Sequence, residues 1–260
     1  MEELLERRVG KVCVLTINRP SRRNALYPAL VYDLKDRLEE LVNDSDVGAV
    51  VITGSGRAFC AGGDVKDLTQ REKGTAEEEA KGLRLRSEVI RLLNEMPKVT
   101  IAMVNGPAFG AGLSMALACD LRYAAESARF STAFAKVGLS SDFGMSYFLP
   151  RAVGSAKARE LLLTAETLSS DEAFQIGMMT RVLPDDELES FTLNLAEKIG
   201  AGPSLAFAEI KHALNMSETT RLTEILDMES LRQCQLCETE DHKNAVRAFT
   251  EGGVPVFHGR

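Results

Sequence analysis

The chain has 260 residues, of which 45% are hydrophobic and 27% are charged, and its formal net charge at pH 7 is −7. This length predicts one large domain or one domain with an appendage, and the negative charge argues against non-specific binding to nucleic acid or anionic membranes. The sequence contains no apolar run long enough to span a bilayer, and its first residues lack the apolar core of a signal peptide. We therefore expect a cytoplasmic protein with no nucleic-acid or membrane partner.

The five cysteines are odd in number and mostly lie among apolar residues, which favours reduced thiols over disulfides. Cys234 and Cys237 have the spacing of a zinc or redox pair, but no second pair accompanies them. We expect no metal site.

The first part of the chain alternates between strand and helix patterns. Residues 11–17 are rich in β-branched side chains and predict a strand, and residues 48–53 predict a second, buried strand. Between them, apolar residues at helical spacing predict an amphipathic helix over residues 24–42. Residues 69–81 are polar and rich in glutamate, which predicts a mobile surface segment, and a helix is predicted over residues 83–96.

The most informative stretch runs from Met103 to Leu121. A short apolar strand ends there at a turn, and Gly110, Ala111 and Gly112 then precede a run of residues that favour helix. The start of a helix has unpaired N–H groups and the positive end of the helix dipole, and small residues let a ligand approach the backbone. The pattern indicates an anion or oxyanion site, and packing or capping by the glycines is the alternative. It lacks the Lys-Ser/Thr pair of a P-loop.

The second part of the chain changes character near residue 200. Strands are predicted over residues 120–124, 128–134 and 178–183, with a loop over residues 138–146. Helices are predicted over residues 147–163, 169–177, 185–200, 203–216 and 218–249, and Ser169 with Glu172 forms a capping signature. Repeated strand–helix alternation implies parallel strands with crossover helices, and the last 60 residues lack strand signals.

Several motifs, taken together and in order, resemble the crotonase (enoyl-CoA hydratase/isomerase) superfamily. They cover nearly the whole chain and lie at residues 18–20, 23–26, 58–64, 104–112, 118–122 and 249–260. The resemblance implies an α/β fold in which ββα turns form a superhelix, here assigned to residues 1–200. A C-terminal helical region, residues 201–260, would form trimers or a dimer of trimers. Periodicity alone suggests a doubly wound sheet instead.

The resemblance also implies acyl-CoA thioester substrates, with coenzyme A as part of the substrate and no separate cofactor. The N–H groups of Gly63 and Ala111 would hold the thioester oxygen, where an enolate places negative charge. Six further residues would border the acyl-CoA: Ala25, Ala61, Gly62, Asp64, Val65 and Gly110. For Asp64, our first interpretation is an N-cap for the turn at residues 65–68, and a substrate contact is the second.

The acid–base residues decide the reaction, and two of them depart from the hydratase pattern. The positions of the two hydratase glutamates hold Ser114 and Phe134, neither of which can act as a base. Asp142, in contrast, matches the single acidic residue of some Δ3,Δ2-enoyl-CoA isomerases and of ring-opened phenylacetyl-CoA isomerases. A cap on the helix at Ser146 is its structural alternative. Apolar neighbours (Phe134, Phe143, Met145 and Phe148) would raise its pKa toward that of a proton shuttle.

We therefore expect an enoyl-CoA isomerase in which Asp142 moves a proton along one face of a dienolate. A hydratase or other lyase would need a carboxylate such as Glu88 or Glu126, and a decarboxylase, a thioesterase or a non-catalytic acyl-CoA-binding protein stays open. Dehalogenation is disfavoured because the histidines, at positions 212, 242 and 258, fall in the C-terminal region.

Overall fold

The computed structural model describes residues 2–65 and 74–260. Within them, a six-stranded sheet contains β1 (Leu4–Val9), β2 (Val12–Ile17), β3 (Ala49–Gly54), β4 (Val99–Val104), β6 (Leu121–Ala125) and β9 (Arg181–Leu183). The strands follow one another across the sheet in chain order, and every neighbouring pair after β1–β2 is parallel. Because the order never reverses, the chain winds in one direction, and the doubly wound sheet suggested by periodicity is wrong.

A smaller sheet lies alongside and is formed by β5 (Ala108–Phe109), β7 (Arg129–Ser131) and β8 (Leu168–Ser169). β5 follows β4 after a short turn, and β7 follows β6 in the same way. The turns that begin at β4 and β6 thus place one strand in each sheet, and the segments after β2 and β3 join by isolated bridges at Leu26 and Cys60. This is the ββα superhelix that the resemblance implied.

The helices of the first part lie around the sheets. They are α1 (Pro28–Val42), α2 (Ala76–Arg86), α3 (Glu88–Glu95), α4 (Ala111–Ala118), α5 (Met145–Val153), α6 (Ser155–Thr164), α7 (Ser170–Gln175) and α8 (Leu188–Gly200), with 3₁₀ turns at Pro20–Arg22 and Phe134–Val137. The C-terminal region contains α9 (Ser204–Ser217), α10 (Leu222–Cys237) and α11 (Glu240–Glu251). The larger apolar core lies between the six-stranded sheet and α1, α3 and α4, and a smaller core lies under α8.

Several predicted helices have different bounds in the structure. α1 begins at Pro28 and not at residue 24, because buried Asn24 has a left-handed backbone and donates from its side chain to Ser55 and Ala58. Helical patterns that were predicted as continuous are interrupted at three places: Ser87, Gly154, and Glu238 with Thr239. Gly154 has φ +79°, which ends α5 and starts α6.

The prediction of a mobile segment over residues 69–81 is wrong for residues 76–81, which belong to α2. Thr75 and Glu78 form a reciprocal capping box, and α2 begins directly after Thr75. Residues 69–73 of that prediction lie outside the described residues. The second capping box, Ser169 with Glu172 at the start of α7, was predicted and is confirmed.

The C-terminal helices are attached to the core by a buried lysine on α9. The Lys211 ammonium donates to the carbonyls of Leu93 (2.8 Å) and Lys98 (3.0 Å) and to the carboxylate of Asp120 (2.8 Å). The predicted C-terminal helical region is confirmed, while the boundary at residue 200 and trimer formation stay predictions. No helix of the described residues combines the length and the apolar character needed to cross a membrane.

Candidate acyl-CoA active site

Two loops meet at the start of α4, and glycines allow the close contact. Cys60 N–H donates to the carbonyl of Pro107 (3.1 Å), and Phe109 N–H donates back to the carbonyl of Cys60 (2.9 Å). A Cβ atom on Gly112 would lie 2.4 Å from the Cys60 carbonyl oxygen, and one on Gly62, where φ is +89°, would lie 2.8 Å from the Phe109 carbonyl oxygen. Only glycine permits this approach at either position.

This contact places the two predicted oxyanion donors on one cavity. Gly63 lies between Gly62 and Asp64, and both of these residues are hydrogen-bonded to Leu26. The Leu26 N–H donates to the Gly62 carbonyl, and the Asp64 N–H donates to the Leu26 carbonyl. Ala111 is the first residue of α4, so its N–H has no partner within the helix. Neither N–H donates to a backbone carbonyl of residues 2–65 or 74–260. Both are available to a ligand oxygen.

The cavity has a volume of about 560 Å³ and a mostly apolar wall. Eight predicted site residues line it: Ala61, Gly62, Gly63, Asp64, Val65, Gly110, Ala111 and Asp142. Ala25 does not line the cavity within the described residues. It is buried behind the wall, and its carbonyl accepts a hydrogen bond from the Arg19 guanidinium.

Asp142 lies in the loop before α5, where its backbone and side chain have separate roles. Its backbone carbonyl accepts from Met145 N–H (3.0 Å) and from the Ser114 hydroxyl (3.2 Å), which ties the loop to α4. Its carboxylate oxygen Oδ1 is buried and has no hydrogen-bond partner among the described residues. The N-cap of α5 is Gly144, without a side-chain hydrogen bond, so the alternative of Asp142 as a helix cap is wrong.

The surroundings of Asp142 tune its ionisation. Burial raises the pKa of Asp142 from its ordinary 3.8 to about 6, and the positive charge of Arg86 opposes this rise. Phe134 and Phe143 line the cavity as predicted, whereas Met145 and Phe148 do not belong to its described lining. The carboxylate is thus ionised at neutral pH and close to the range of an efficient proton acceptor.

The two positions without glutamate are occupied differently. Ser114 is fully buried and is not part of the described cavity wall, while Phe134 lies on the wall. Glu88 is held by Arg84 and Arg91, and neither Glu88 nor Glu126 is among the described lining residues. Besides Asp142, the carboxylates in the described part of the lining are those of Asp64 and Glu79.

Asp64 has a structural partner that the sequence did not reveal. Its carboxylate forms an ion pair with Arg19 (3.1 Å), and the Arg19 guanidinium lies 4.5 Å from the centre of the Tyr27 ring. Arg19 belongs to the motif at residues 18–20, but its role depends on contacts that only the folded chain makes. The predicted N-cap at residues 65–68 lies mainly outside the described residues.

Among the described residues, the cavity has neither a group of metal ligands nor a histidine that could activate water for dehalogenation. Within the described residues, no three His, Cys, Asp or Glu side chains are grouped as a metal site. None of the three histidines belongs to the described lining of the cavity.

Comparison with known proteins identifies the family. Residues 7–260 match the sequence model described as Enoyl-CoA hydratase/isomerase. The chain belongs to this family. It is 35% identical over 261 residues to the 1,2-epoxyphenylacetyl-CoA isomerase of Escherichia coli (strain K12), with all of both chains covered. It is 36% identical over 243 residues to the short-chain-enoyl-CoA hydratase of Clostridium acetobutylicum, covering 93% of this chain and 92% of the relative.

Solved structures agree with the fold. The crystal structure of enoyl-CoA hydratase from Bacillus anthracis has a TM-score of 0.94 and 28% identity, with 100% of both chains covered. The crotonase resemblance of the motifs is therefore confirmed, as is an enzyme family that processes acyl-CoA. The names of the relatives include an isomerase and a hydratase, so membership of the family is compatible with either reaction.

Proposed function

We propose that the protein is a Δ3,Δ2-enoyl-CoA isomerase with Asp142 as its only proton-transferring carboxylate. The carrying observation is the buried Oδ1 of Asp142, which lines the cavity and has no hydrogen-bond partner among the described residues. The two hydratase positions hold no carboxylate, since one is the buried Ser114 behind the described wall and the other is Phe134 on it. Moving a double bond needs one base that removes a proton and returns it, whereas adding water needs water activation as well.

The proposed reaction has two steps. The thioester oxygen of a 3-enoyl-CoA accepts hydrogen bonds from Gly63 and Ala111, and Asp142 removes a proton from the α-carbon. The resulting dienolate is stabilised by the two N–H donors, each by about 3–4 kcal/mol. The protonated Asp142 then donates the same proton to C4, which gives the 2-enoyl-CoA and restores the carboxylate. No atom is gained or lost.

A 2-enoyl-CoA hydratase is the second candidate. Glu79 on α2 lines the same cavity and could supply a further carboxylate, and relatives of this chain bear hydratase names. In that case Asp142 and Glu79 would share the activation of water and the protonation of the α-carbon.

The deciding experiment offers matched 3-enoyl-CoA and 2-enoyl-CoA esters and identifies the products by mass. We expect interconversion of the two esters without a change in mass. A product heavier by one water, formed rapidly from the 2-enoyl ester, would contradict the isomerase proposal and favour the hydratase. Binding of both esters without turnover would indicate a non-catalytic acyl-CoA-binding protein.

We also propose a cytoplasmic homo-oligomer, a trimer or a dimer of trimers, that acts on acyl-CoA without a separate cofactor. The exposed apolar side chains on the C-terminal helices support this assembly.

A further inference from the structure

Arg86 is a charged residue on the cavity wall for which the proposed reaction has no use. It is the last residue of α2, is half-buried, and is the only basic residue in the described lining of the cavity. The wall of this cavity is largely apolar and includes Leu83, Val137 and Phe143. A guanidinium in such a place loses hydration, and this loss is costly unless an anion replaces the water.

The neighbouring basic residues have carboxylate partners, and Arg86 differs from them. Lys81 pairs with Glu77, Arg84 with Glu88, and Arg91 with Glu88 and Glu95. Within the described part of the chain, Arg86 takes part in no ion pair.

Two opposite charges therefore face one cavity without touching. The positive charge of Arg86 acts on Asp142, and both side chains line the same cavity without forming an ion pair with each other. Of the other lining acids, Asp64 is already paired with Arg19. A planar guanidinium binds a carboxylate through two parallel hydrogen bonds, a geometry that an ammonium group cannot reproduce.

We infer that Arg86 binds a carboxylate on the acyl group, so that the preferred substrates are CoA monothioesters of dicarboxylic acids. This inference rests on the proposed function for the placement of the thioester at Gly63 and Ala111, and it adds the chemical class of the acyl group. The apolar wall would contact the methylene chain, while Arg86 would bind the carboxylate at its end.

Binding of saturated esters tests the inference separately from turnover, because these esters cannot isomerise. Isothermal calorimetry would compare adipyl-CoA with 6-methylheptanoyl-CoA, in which an isopropyl group replaces the carboxylate. Longer pairs, built from pimelyl- and suberyl-CoA in the same way, cover the distance to Arg86. We expect at least one carboxylate ester to bind about tenfold or more tightly than its matched ester.

The variants locate this preference. Arg86→Met keeps much of the side-chain stem and should abolish the preference by weakening only the carboxylate ester. Arg86→Lys keeps the charge without the planar fork and should retain part of the preference. Arg84→Met is the matched control, because Arg84 lies on the same helix but pairs with Glu88, and it should retain the full preference. Unfolding curves confirm that each variant is folded.

Three results would overturn the inference. These are the absence of a preference in the wild type at every chain length, an equal loss for both esters in Arg86→Met, and no effect of Arg86→Met. An equal loss would assign Arg86 to a phosphate of coenzyme A, the other anion of the ligand. A carboxylate preference without isomerisation would contradict only the proposed reaction, and isomerisation without the preference would contradict only the role of Arg86.

Discussion

The burial of the Asp142 carboxylate destabilises its ionised form and at the same time makes it a better base at neutral pH. Burial and the lack of a partner for Oδ1 make its ionised form costly, and the same conditions give it a pKa of about 6. A base is most effective when its pKa lies near the working pH. Asp142 thus lowers the stability of the folded protein when it is ionised, and the same burial favours proton transfer.

Replacing the carboxylate by an amide separates chemistry from structure. Asp142→Asn keeps the shape and the backbone contacts of the loop but cannot accept a proton at neutral pH. We expect isomerisation to fall by at least about 10²-fold, with acyl-CoA binding retained. Asp36→Asn, at an exposed acid on α1, is the control and should retain full turnover. Near-wild-type turnover by a folded Asp142→Asn enzyme would remove Asp142 from the mechanism.

The raised pKa of Asp142 predicts how the rate of isomerisation depends on pH. Only ionised Asp142 can remove a proton, so kcat/KM should rise with pH through about 6 and then level off. Among the described residues, the other charged groups that line the cavity are Arg86, Glu79, and Asp64, which is paired with Arg19. A kcat/KM profile that is flat from acidic to neutral pH would show that a different group acts as the base.

The raised pKa of Asp142 also predicts how the free energy of unfolding depends on pH. Because the folded pKa of Asp142 is raised, the native state binds more protons than the unfolded chain between pH 3.8 and about 6, and stability falls as pH rises through this interval. Asp142→Asn should therefore increase the free energy of unfolding on the order of 2 kcal/mol at pH 8. Urea unfolding would measure this, and the gain should vanish near the unfolded pKa and below it. A variant less stable than wild type at pH 8 would show that Oδ1 has a partner in solution.

At the scale of the elements, the approach of α4 to the loop at residues 58–64 determines the site. Gly112→Ala would place a Cβ 2.4 Å from the Cys60 carbonyl, so the loop must shift, at a cost of about 1–3 kcal/mol. Gly63→Ala is the matched control, since a Cβ there meets nothing within 4 Å and the N–H is kept. We expect Gly112→Ala to lower both the thermal midpoint and turnover, and Gly63→Ala to leave the midpoint unchanged. Equal midpoints for the two variants would contradict this.

The elements also show what a single sequence can and cannot predict. The capping box at Ser169 was recognised because apolar residues follow it, whereas Thr75 and Glu78 were missed because α2 buries none of its residues. The start of α1 depends on Asn24, whose left-handed backbone is fixed by partners more than thirty residues away. Local patterns carry no information about such partners.

The same limit applies to the site. Gly63, Ala111 and Asp142 could be named because they lie in ordered motifs, and the structure brings them to one cavity. Arg19 and Arg86 could not be named, since their meaning depends on which side chains the fold places around them. The direction of winding of the sheet likewise came from the resemblance and not from periodicity.

At the scale of the whole molecule, the C-terminal helices expose a large apolar surface. Its members include Leu214, Leu222, Leu226, Leu231 and Phe249, and Val254 and Val256 extend it into the tail after α11. Surfaces of this kind are typical of subunit interfaces.

We expect a particle of three or six copies of the 28.4 kDa chain in sedimentation equilibrium at micromolar concentration. Leu222→Glu with Leu226→Glu should shift the protein toward monomer, because buried charges weaken an apolar interface. Leu163→Glu, at an exposed leucine on α6, is the matched control and should not alter the mass. A wild-type monomer at this concentration would contradict the assembly.

The buried ammonium of Lys211 has a consequence for the order of events in folding. Its three acceptors lie 118, 113 and 91 positions earlier in the chain. Loops of this length close slowly, and the acceptors exist as a group only after α3, β4 and the start of β6 have assembled. We therefore expect the C-terminal helices to dock late, after the part of the chain that supplies these acceptors has folded. Interactions made this late affect mainly the rate of unfolding, so we expect loss of the Lys211 ammonium to speed unfolding more than it slows folding.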